Sequence, residues 1–480
     1  MYDERKTLDR LSLEETLKGY PSKFLVWLYD KILRDLARDY PDALPQAVRQ
    51  SIIGGRTPRK PHLIGLLKAV LEDETLARCL IAGLPGESLT AFRMLVWESE
   101  VNLDMLETVL GTSVTAENLE EGSSYLHLFT VKEEFGFLII SPQPGHSFRF
   151  FISTDQEKKE LCSAWLPAAI RRAFKPFFPP PPDYNLLPLV DVTDLPGRLF
   201  TCAGTAMADM RLVAEYIAQG HLKYTKTGRP TMPSLRNLHR MIAGPEFFED
   251  AQEKDLRYVR TRLLLGGMAF AGVEERELLL SDAGSAAPAR AMMKKILRNG
   301  SFLHEGLLSH FVNNQSVCFH HCPQKIGALF SFFGQFPRGG WISFKNMERY
   351  FSLREQTPSI FTDRGNMLVA RVTPGYGGWS HHLDLDEKNE RELVGRPLLR
   401  GYAFVLAAFG LAEIVYEPPE TGEQSDYGRS HRTMFDGLQS IRLTALGEYV
   451  FGQRRTLDVK EGPPLRSEIV PPTITSHSAK

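Results

Sequence analysis

The sequence lacks a cysteine framework, a membrane-length apolar run and an excess of charge. Only five cysteines occur in 480 residues, at sparse and irregular spacing, which argues against a disulfide-stabilised secreted scaffold. No apolar run approaches the roughly 20 residues that cross a bilayer. The charged start Met1–Lys6 also has no apolar signal region. These absences predict a soluble, cytoplasmic protein with no membrane partner.

The charge of the chain is almost balanced, with 57 basic and 58 acidic residues and a net charge of −1. Such a chain has no overall attraction to nucleic acid, so contact with a polyanion would depend on local basic clusters. Four clusters stand out: Arg56, Arg59 and Lys60; Arg171, Arg172 and Lys175; residues 221–240; and Arg290, Lys294, Lys295 and Arg298.

The most distinctive cluster is His221–Arg240, a basic strand and turn followed by a helical pattern. Gly228 and Pro230 indicate a tight turn over residues 225–230, and Ser234 is expected as the N-cap of the next helix. A basic helix after a rigid turn is how helix-turn-helix proteins approach nucleic acid. The predicted nucleic-acid-binding residues, acting mainly on phosphates, are Lys223, Lys226, Arg229, Arg236 and Arg240. A solvated helix face is the alternative interpretation.

Helical periodicity, turns and prolines divide the chain into regions. The proline run Pro179–Pro182 is interpreted as a linker or rigid strap. The predicted regions are an N-terminal helical region (1–75), a winged-helix-like module (76–178), a helical, helix-turn-helix-like module (195–280), a C-terminal module ending in a winged helix (289–455) and a flexible tail (456–480).

The region 76–178 shows two helical patterns followed by two β-rich runs. The helices are expected over residues 88–99 and 103–110, the second ending at Gly111. The strands are expected over 137–140 and 148–152, joined as a hairpin by a turn at 142–145. Helix, helix and hairpin are the skeleton of a winged helix.

The C-terminal module closes with a similar pattern. A helix over 400–409 ends at Gly410, a strand follows over 411–416, and a long polar loop leads to a return strand over 439–443. Thr444 is the expected N-cap of a last helix over 445–451. The predicted fold class is therefore mainly α with small β-hairpins (α+β), built as tandem winged-helix-like modules.

Three patches of the sequence resemble one family. Leu222–Pro230 with Leu235–Leu238 is similar to the L-T-x-(S/T)-G-x-P…L element of the helicase-associated winged-helix region of bacterial XPB-like helicases. Ile441–Val450 is similar to the R-L-T-x-L-G closing helix of such modules, and residues 84–111 to their opening helical pair. The resemblance implies tandem winged helices that bind DNA beside a motor.

The motor itself has no counterpart in the sequence. No G-x-x-x-x-G-K-[ST] phosphate loop occurs, and no Asp-Glu-x-His motif follows an apolar strand. The resemblance therefore implies an accessory part only, so ATPase activity and a nucleotide cofactor are not carried over.

Two histidine-containing clusters are candidate metal sites. Cys318, His320, His321 and Cys322 place four donors in one short segment, but a tetrahedral zinc site usually takes two separated pairs. Small buried thiols on a helix ending before Pro323 are the alternative. Residues 379–387 combine two histidines with three carboxylates, and a polar loop leading into a helix over 387–393 is the favoured interpretation.

The aromatic run Phe330–Phe336 offers rings that stack on bases beside Arg338, but a core segment is the favoured interpretation. No nucleophile motif stands out. We therefore expect no enzyme and no cofactor, but a DNA-binding accessory protein of a larger DNA-processing or defence complex, partnered by an ATPase or nuclease subunit. A protein-interaction scaffold without direct DNA contact is the alternative, and a metal-dependent enzyme is a third hypothesis.

Overall fold

The computed structural model describes residues 11–40, 58–98, 100–116, 131–142, 159–192, 196–226, 230–249, 256–282, 285–299, 307–308, 323–354, 356, 358, 369–372, 381–384, 390–418 and 433–457. Their contacts divide the chain into two compact units, Met1–Tyr184 and Asn185–Lys480. The division falls shortly after the proline run Pro179–Pro182. The fold is α+β, with helices and small antiparallel sheets in both units.

The first unit contains eight described α-helices and three strands. They are α1 (Leu13–Gly19), α2 (Ser22–Leu28), α3 (Arg34–Asp39), α4 (Lys60–Glu72), α5 (Glu74–Ala82), α6 (Gly86–Leu95), β1 (Val101–Asn102), α7 (Leu103–Leu110), β2 (Ile139–Pro142), β3 (Cys162–Trp165) and α8 (Ala168–Phe174). A π-helical turn, Tyr29–Leu33, joins α2 to α3. Helix α7 has the predicted bounds, and Gly111 follows it at φ +65°. Helix α6 ends at Leu95, earlier than expected.

The core of the first unit is aromatic. The Phe137 ring lies edge-on to those of Phe24, Phe92 and Phe174, with centroid separations of 4.8, 5.4 and 5.7 Å. Such edge-to-face pairs add to the free energy gained by apolar burial. The hydroxyl of Tyr20 donates to the carbonyl of Phe137 at 3.0 Å, so the loop before β2 is tied to this core.

The expected hairpin of the first unit differs from the observed sheet. Strand β2 includes Pro142, which was expected in the turn, and its described partner is β3. The second predicted strand, 148–152, lies outside the described residues. Strand β3 was missed because all four of its residues are buried, so it has no alternating pattern. The sheet order is β1-β3-β2.

The second unit contains nine described α-helices and seven strands. They are β4 (Pro188–Leu189), β5 (Arg198–Phe200), α9 (Ala206–Ala218), α10 (Met232–Met241), α11 (Val259–Ala271), α12 (Val273–Ser281), α13 (Ala287–Asn299), α14 (Pro323–Phe333), β6 (Trp341–Ser343), α15 (Phe344–Leu353), β7 (Val369–Val372), β8 (His381–Asp384), α16 (Arg396–Ala408), β9 (Ala412–Tyr416), β10 (Leu438–Leu443) and α17 (Ala445–Phe451).

The end of the second unit follows its local signals closely. Helix α17 has the predicted bounds, and the Thr444 hydroxyl accepts from the amide of Gly447 at 3.1 Å as its N-cap. Strands β9 and β10 pair as predicted, with Ile414 opposite Ile441. They belong to a five-stranded sheet of order β4-β6-β10-β9-β5.

Both units contain a strand that ends in the N-cap of the next helix and pairs with a later strand of its sheet; in the second unit β7, β8 and α16 lie between the capped helix and the later strands β9 and β10. Asn102 ends β1 and caps α7, and Ser343 ends β6 and caps α15. In the sheets, Asn102 lies opposite Ser163 of β3, and Ser343 lies opposite Ser440 of β10. Strand β1 pairs with β3, and β2 lies on the other side of β3. In the same way β6 pairs with β10, and β9 lies on the other side of β10.

Candidate nucleic-acid interface

The basic turn is closed by backbone contacts at the described ends. Tyr224 and Pro230 form an antiparallel bridge, and the amide of Thr231 donates to the carbonyl of Lys223 at 2.9 Å. No described strand lies between α9 and the turn, where the extended contact is this single bridge. Residues 227–229, which include the predicted Arg229, lie outside the described residues. The contacts therefore hold the entry and exit of the turn side by side.

The cap of α10 differs from the expectation. The N-cap is Thr231, in an extended conformation, and its hydroxyl accepts from the amide of Ser234 at 3.4 Å. Pro233 fits the first turn of a helix because N–H groups there have no intrahelical acceptor. The N–H that proline lacks therefore costs no hydrogen bond. The prediction that Ser234 is the N-cap is therefore wrong.

Ser234 instead joins the helix to the turn and to α9. Its side chain is buried, and its hydroxyl accepts from the amide of Lys223 at 3.1 Å. Its carbonyl accepts from the hydroxyl of Tyr216 at 3.2 Å. Burial raises the pKa of Tyr216, so this hydroxyl stays protonated and continues to donate at neutral pH.

The described cations of the segment all face outward. Lys223, Lys226, Arg236 and Arg240 are exposed, whereas Leu235 and Leu238 on the other side of α10 are buried. Arg236 and Arg240 stand four residues apart and therefore on one helix face. None of the four forms a salt bridge with a described residue. Their charges are thus available to an anionic ligand.

Exposed apolar groups lie among these cations. Tyr224 is 54% exposed on the turn, and Met232 is 38% exposed at the first position of α10. The surface therefore combines cations with an aromatic ring, a combination that suits a ligand with both phosphates and bases.

A buried ion pair holds the helices behind this surface. Arg260 of α11 is fully buried, and its guanidinium lies 2.5 Å from the carboxylate of Asp209 in α9. The same carboxylate accepts from the amides of Ala243 and Gly244, directly after α10, at 2.8 and 3.2 Å. Asp209 therefore ties the end of α10 to α9 and α11.

A second buried carboxylate completes this network. Glu246 accepts from the amides of Arg260 and Thr261 at 2.8 and 3.0 Å, which satisfies two donors in the first turn of α11. Asp209 and Glu246 were not singled out from the sequence. The available signal for Asp209 was a carboxylate flanked by apolar residues at the start of α9, which favours burial with a partner over solvation.

The basic clusters outside the turn and α10 differ in the burial and the pairing of their cations. In the first unit Arg171 is buried, and the ammonium of Lys175 lies 4.9 Å from the centroid of the Trp97 ring. Arg59 is exposed, and Arg56 lies outside the described residues. In the second unit Lys295 pairs with Glu275, whereas Arg290, Lys294 and Arg298 form no salt bridge with a described residue.

The candidate metal and stacking segments give three results. Residues 318–322 lie outside the described residues. His381–Asp384 form strand β8, paired with β7, so the polar-loop interpretation is wrong for these four residues. Within the described parts of the chain, no group of three or more potential metal ligands lies together. The core interpretation of the aromatic run is confirmed, since Phe330, Phe332, Phe333 and Phe336 are all buried.

Two of the described thiols, those of Cys162 and Cys202, are buried and are therefore poor nucleophiles at neutral pH. Burial raises the pKa of Cys162 to about 12 and that of Cys202 to about 11. Only the thiolate form is strongly nucleophilic, and little of it exists several units below the pKa. Cys202 also donates to the carbonyl of Ala407 at 3.1 Å, which marks it as a packed core residue.

Helix α16, which precedes β9, is enclosed by the second unit. Every residue from Pro397 to Ala408 is buried except Arg400, which is half-buried. A helix that is covered on all sides belongs to a core. Sequence reasoning identified this helix but not its burial. Only the side chains of Arg396 and Arg400 reach the surface from this helix.

No described helix is long and apolar enough to cross a membrane. Comparison with protein-family models, with curated proteins and with solved structures found no match to this chain.

Proposed function

We propose that this protein is a non-catalytic DNA-binding accessory protein that acts within a larger DNA-processing or defence complex. The observation that carries the proposal is the basic surface of the turn and α10. Four described cations face outward without a described carboxylate partner, on a turn and helix joined by hydrogen bonds through Thr231 and Ser234. Such a rigid basic element suits contact with DNA phosphates.

The repeated strand arrangement supports tandem winged-helix-like modules. Each unit has a short strand whose last residue caps the next helix, and the sheet order places the third strand between the first and the second. Tandem modules of this kind are what the family resemblance implies. An ATPase or nuclease subunit would then be a separate partner.

A protein-interaction scaffold is the second candidate function, and the burial of α16 favours it. In the C-terminal module α16 comes directly before β9, the first strand of the β9–β10 pair. A winged helix that reads DNA would expose its recognition helix at this position. Because α16 is covered, the C-terminal module would contact a protein partner through other surfaces. Under the first candidate function, the basic turn and α10 contact DNA. Under the second, the C-terminal module contacts a protein partner.

The test is duplex binding by the full chain with the predicted cations neutralised. In a K226Q/R229Q/R236Q variant we expect the Kd for a duplex to rise roughly tenfold or more. The slope of log K against log salt should fall by about 3, since each phosphate contact contributes about 1. Fluorescence anisotropy across a salt series measures both quantities.

The matched control removes the same charge from paired side chains of the first unit. Lys18, Arg34 and Arg78 each pair with an acidic residue four positions away. A K18Q/R34Q/R78Q variant should bind the duplex like the unaltered protein. If both triple variants bind equally well, DNA contact through the basic turn is wrong. Co-purification with an ATPase would then favour the scaffold.

A further inference from the structure

Helix α13 carries a row of three cations on one face. Arg290, Lys294 and Arg298 follow one another at intervals of four residues. At a rise of about 1.5 Å per residue, successive members stand about 6 Å apart along the axis, and the row spans about 12 Å. The row is therefore a linear array of positive charge and not a single-ion pocket.

Both arginines of the row rest on aromatic rings of neighbouring helices. The guanidinium of Arg290 lies 4.7 Å from the centroid of Tyr449 in α17, and that of Arg298 lies 4.6 Å from the centroid of Phe330 in α14. These rings are only 9% and 4% exposed. A guanidinium stacked on a ring keeps its N–H edge for an oxyanion. Part of the entropy cost of ordering these side chains is thus met before a ligand binds.

Among the described residues, no carboxylate pairs with the row. None of the three side chains forms a salt bridge with a described residue, whereas the adjacent Lys295 pairs with Glu275 and donates to the carbonyl of Ala271. Burial and the charges of Arg290 and Arg298 lower the pKa of Lys294. The three charges therefore repel one another, and an anionic ligand would relieve that repulsion.

The surface around the row favours a phosphate backbone over an acidic peptide. The exposed neighbours of the row are Ala287, one turn before Arg290, Ala291 and the paired Lys295; the small side chains of the two alanines permit close approach of a flat ligand. Protein partners usually bind through a large apolar or aromatic anchor. Here the neighbouring rings of Tyr449 and Phe330 are already covered.

We propose that Arg290, Lys294 and Arg298 form a second DNA-backbone contact, which binds successive phosphates of a duplex independently of the basic turn and α10. This contact goes beyond the proposed function because it uses a different helix and none of the residues of that segment. It also gives the C-terminal module (289–455) a DNA surface of its own, although α16 in that module is covered.

The decisive variant is Lys294→Gln in the full chain. We expect weaker duplex binding and a salt slope reduced by about 1, because one phosphate contact is lost. The melting temperature should stay equal or rise, because the substitution removes repulsion between like charges. A residue with only a structural role would not weaken DNA binding while leaving the fold equally or more stable.

A triple variant and a neighbouring control complete the test. R290Q/K294Q/R298Q should reduce the salt slope by about 3. Lys295→Gln removes the same charge from the same helix but should leave the duplex Kd unchanged. Polyglutamate at equal charge concentration should not displace the duplex.

Three results would overturn the proposal: unaltered binding by both the Lys294 and the triple variant, no duplex binding by the unaltered chain, or equal displacement by polyglutamate. The two DNA contacts fail separately. If only K226Q/R229Q/R236Q loses affinity, the contact on α13 is wrong and the proposed function stands. If only the α13 variants lose affinity, the basic turn is not the contact that the proposed function requires.

Discussion

At the scale of single residues, Asp209 ties together the elements behind the candidate interface. Its carboxylate is 2% exposed and receives hydrogen bonds from Thr205, Ala243, Gly244 and Arg260. A buried ion pair of this kind is weak evidence for net stability, but loss of one partner leaves an uncompensated buried charge. The basic turn and α10 thus depend on a residue that does not reach their surface.

Replacement of Asp209 by Asn should therefore destabilise the second unit. The change keeps the side-chain volume but leaves the buried guanidinium of Arg260 without its counter-charge, at a cost of about 3 kcal/mol or more. Urea denaturation followed by circular dichroism measures the change. The control is Asp35→Asn, an exposed partner of Arg38 at 3.1 Å, for which we expect a change under about 1 kcal/mol. Equal, small effects of both substitutions would contradict this role for Asp209.

At the scale of elements, α17 is positioned by one capping residue and one glycine. The hydroxyl of Thr444 accepts from the amide of Gly447 and donates to the carbonyl of Gly410 at 2.7 Å. A Cβ added to Gly447 would collide with the carbonyl of Leu411, a backbone group that cannot move aside. The glycine of the R-L-T-x-L-G pattern is therefore explained by close packing of α17 on the turn before β9.

Replacement of Gly447 by Ala should destabilise the second unit by about 3 kcal/mol, at the upper end of the usual cost of overpacking. The control is Gly327→Ala within α14, where a Cβ meets nothing within 4 Å. That substitution should instead stabilise the helix by roughly 0.5–1 kcal/mol. Thermal denaturation of the two variants distinguishes them by the sign of the shift in melting temperature, and shifts of the same sign would contradict the packing argument.

At the scale of the whole molecule, the two units each have a core of their own. The described core of the first unit centres on Phe92, Phe137 and Phe174, and that of the second on residues such as Phe247, Phe404 and Tyr416. A unit with a hydrophobic core of its own is expected to fold alone.

A fragment of residues 1–184 should therefore fold without the rest of the chain. We expect a cooperative unfolding transition by circular dichroism. A fragment of residues 1–160 is the control, since it removes β3, the central strand of the sheet, together with the buried Phe174. We expect no cooperative transition for the shorter fragment. If neither fragment unfolds cooperatively, the first unit depends on the second for stability.

Local signals were enough to predict several elements closely. Helix α7 and helix α17 have the expected bounds, because Gly111 stops the first and Thr444 caps the second. The orientation of α10 was also accessible, since Leu235 and Leu238 define its buried side. The cap at Ser234 was wrong because Thr231 and Pro233 begin the helix earlier.

Sequence alone determined the α+β class and the position of the basic turn and α10, because periodicity, caps and charge act over a few neighbouring residues. Only the tertiary structure decided the sheet orders, the burial of α16, and the seating of Arg290 and Arg298 on rings from other helices. These features join residues far apart in the chain. Their free energy comes from packing that no local pattern records.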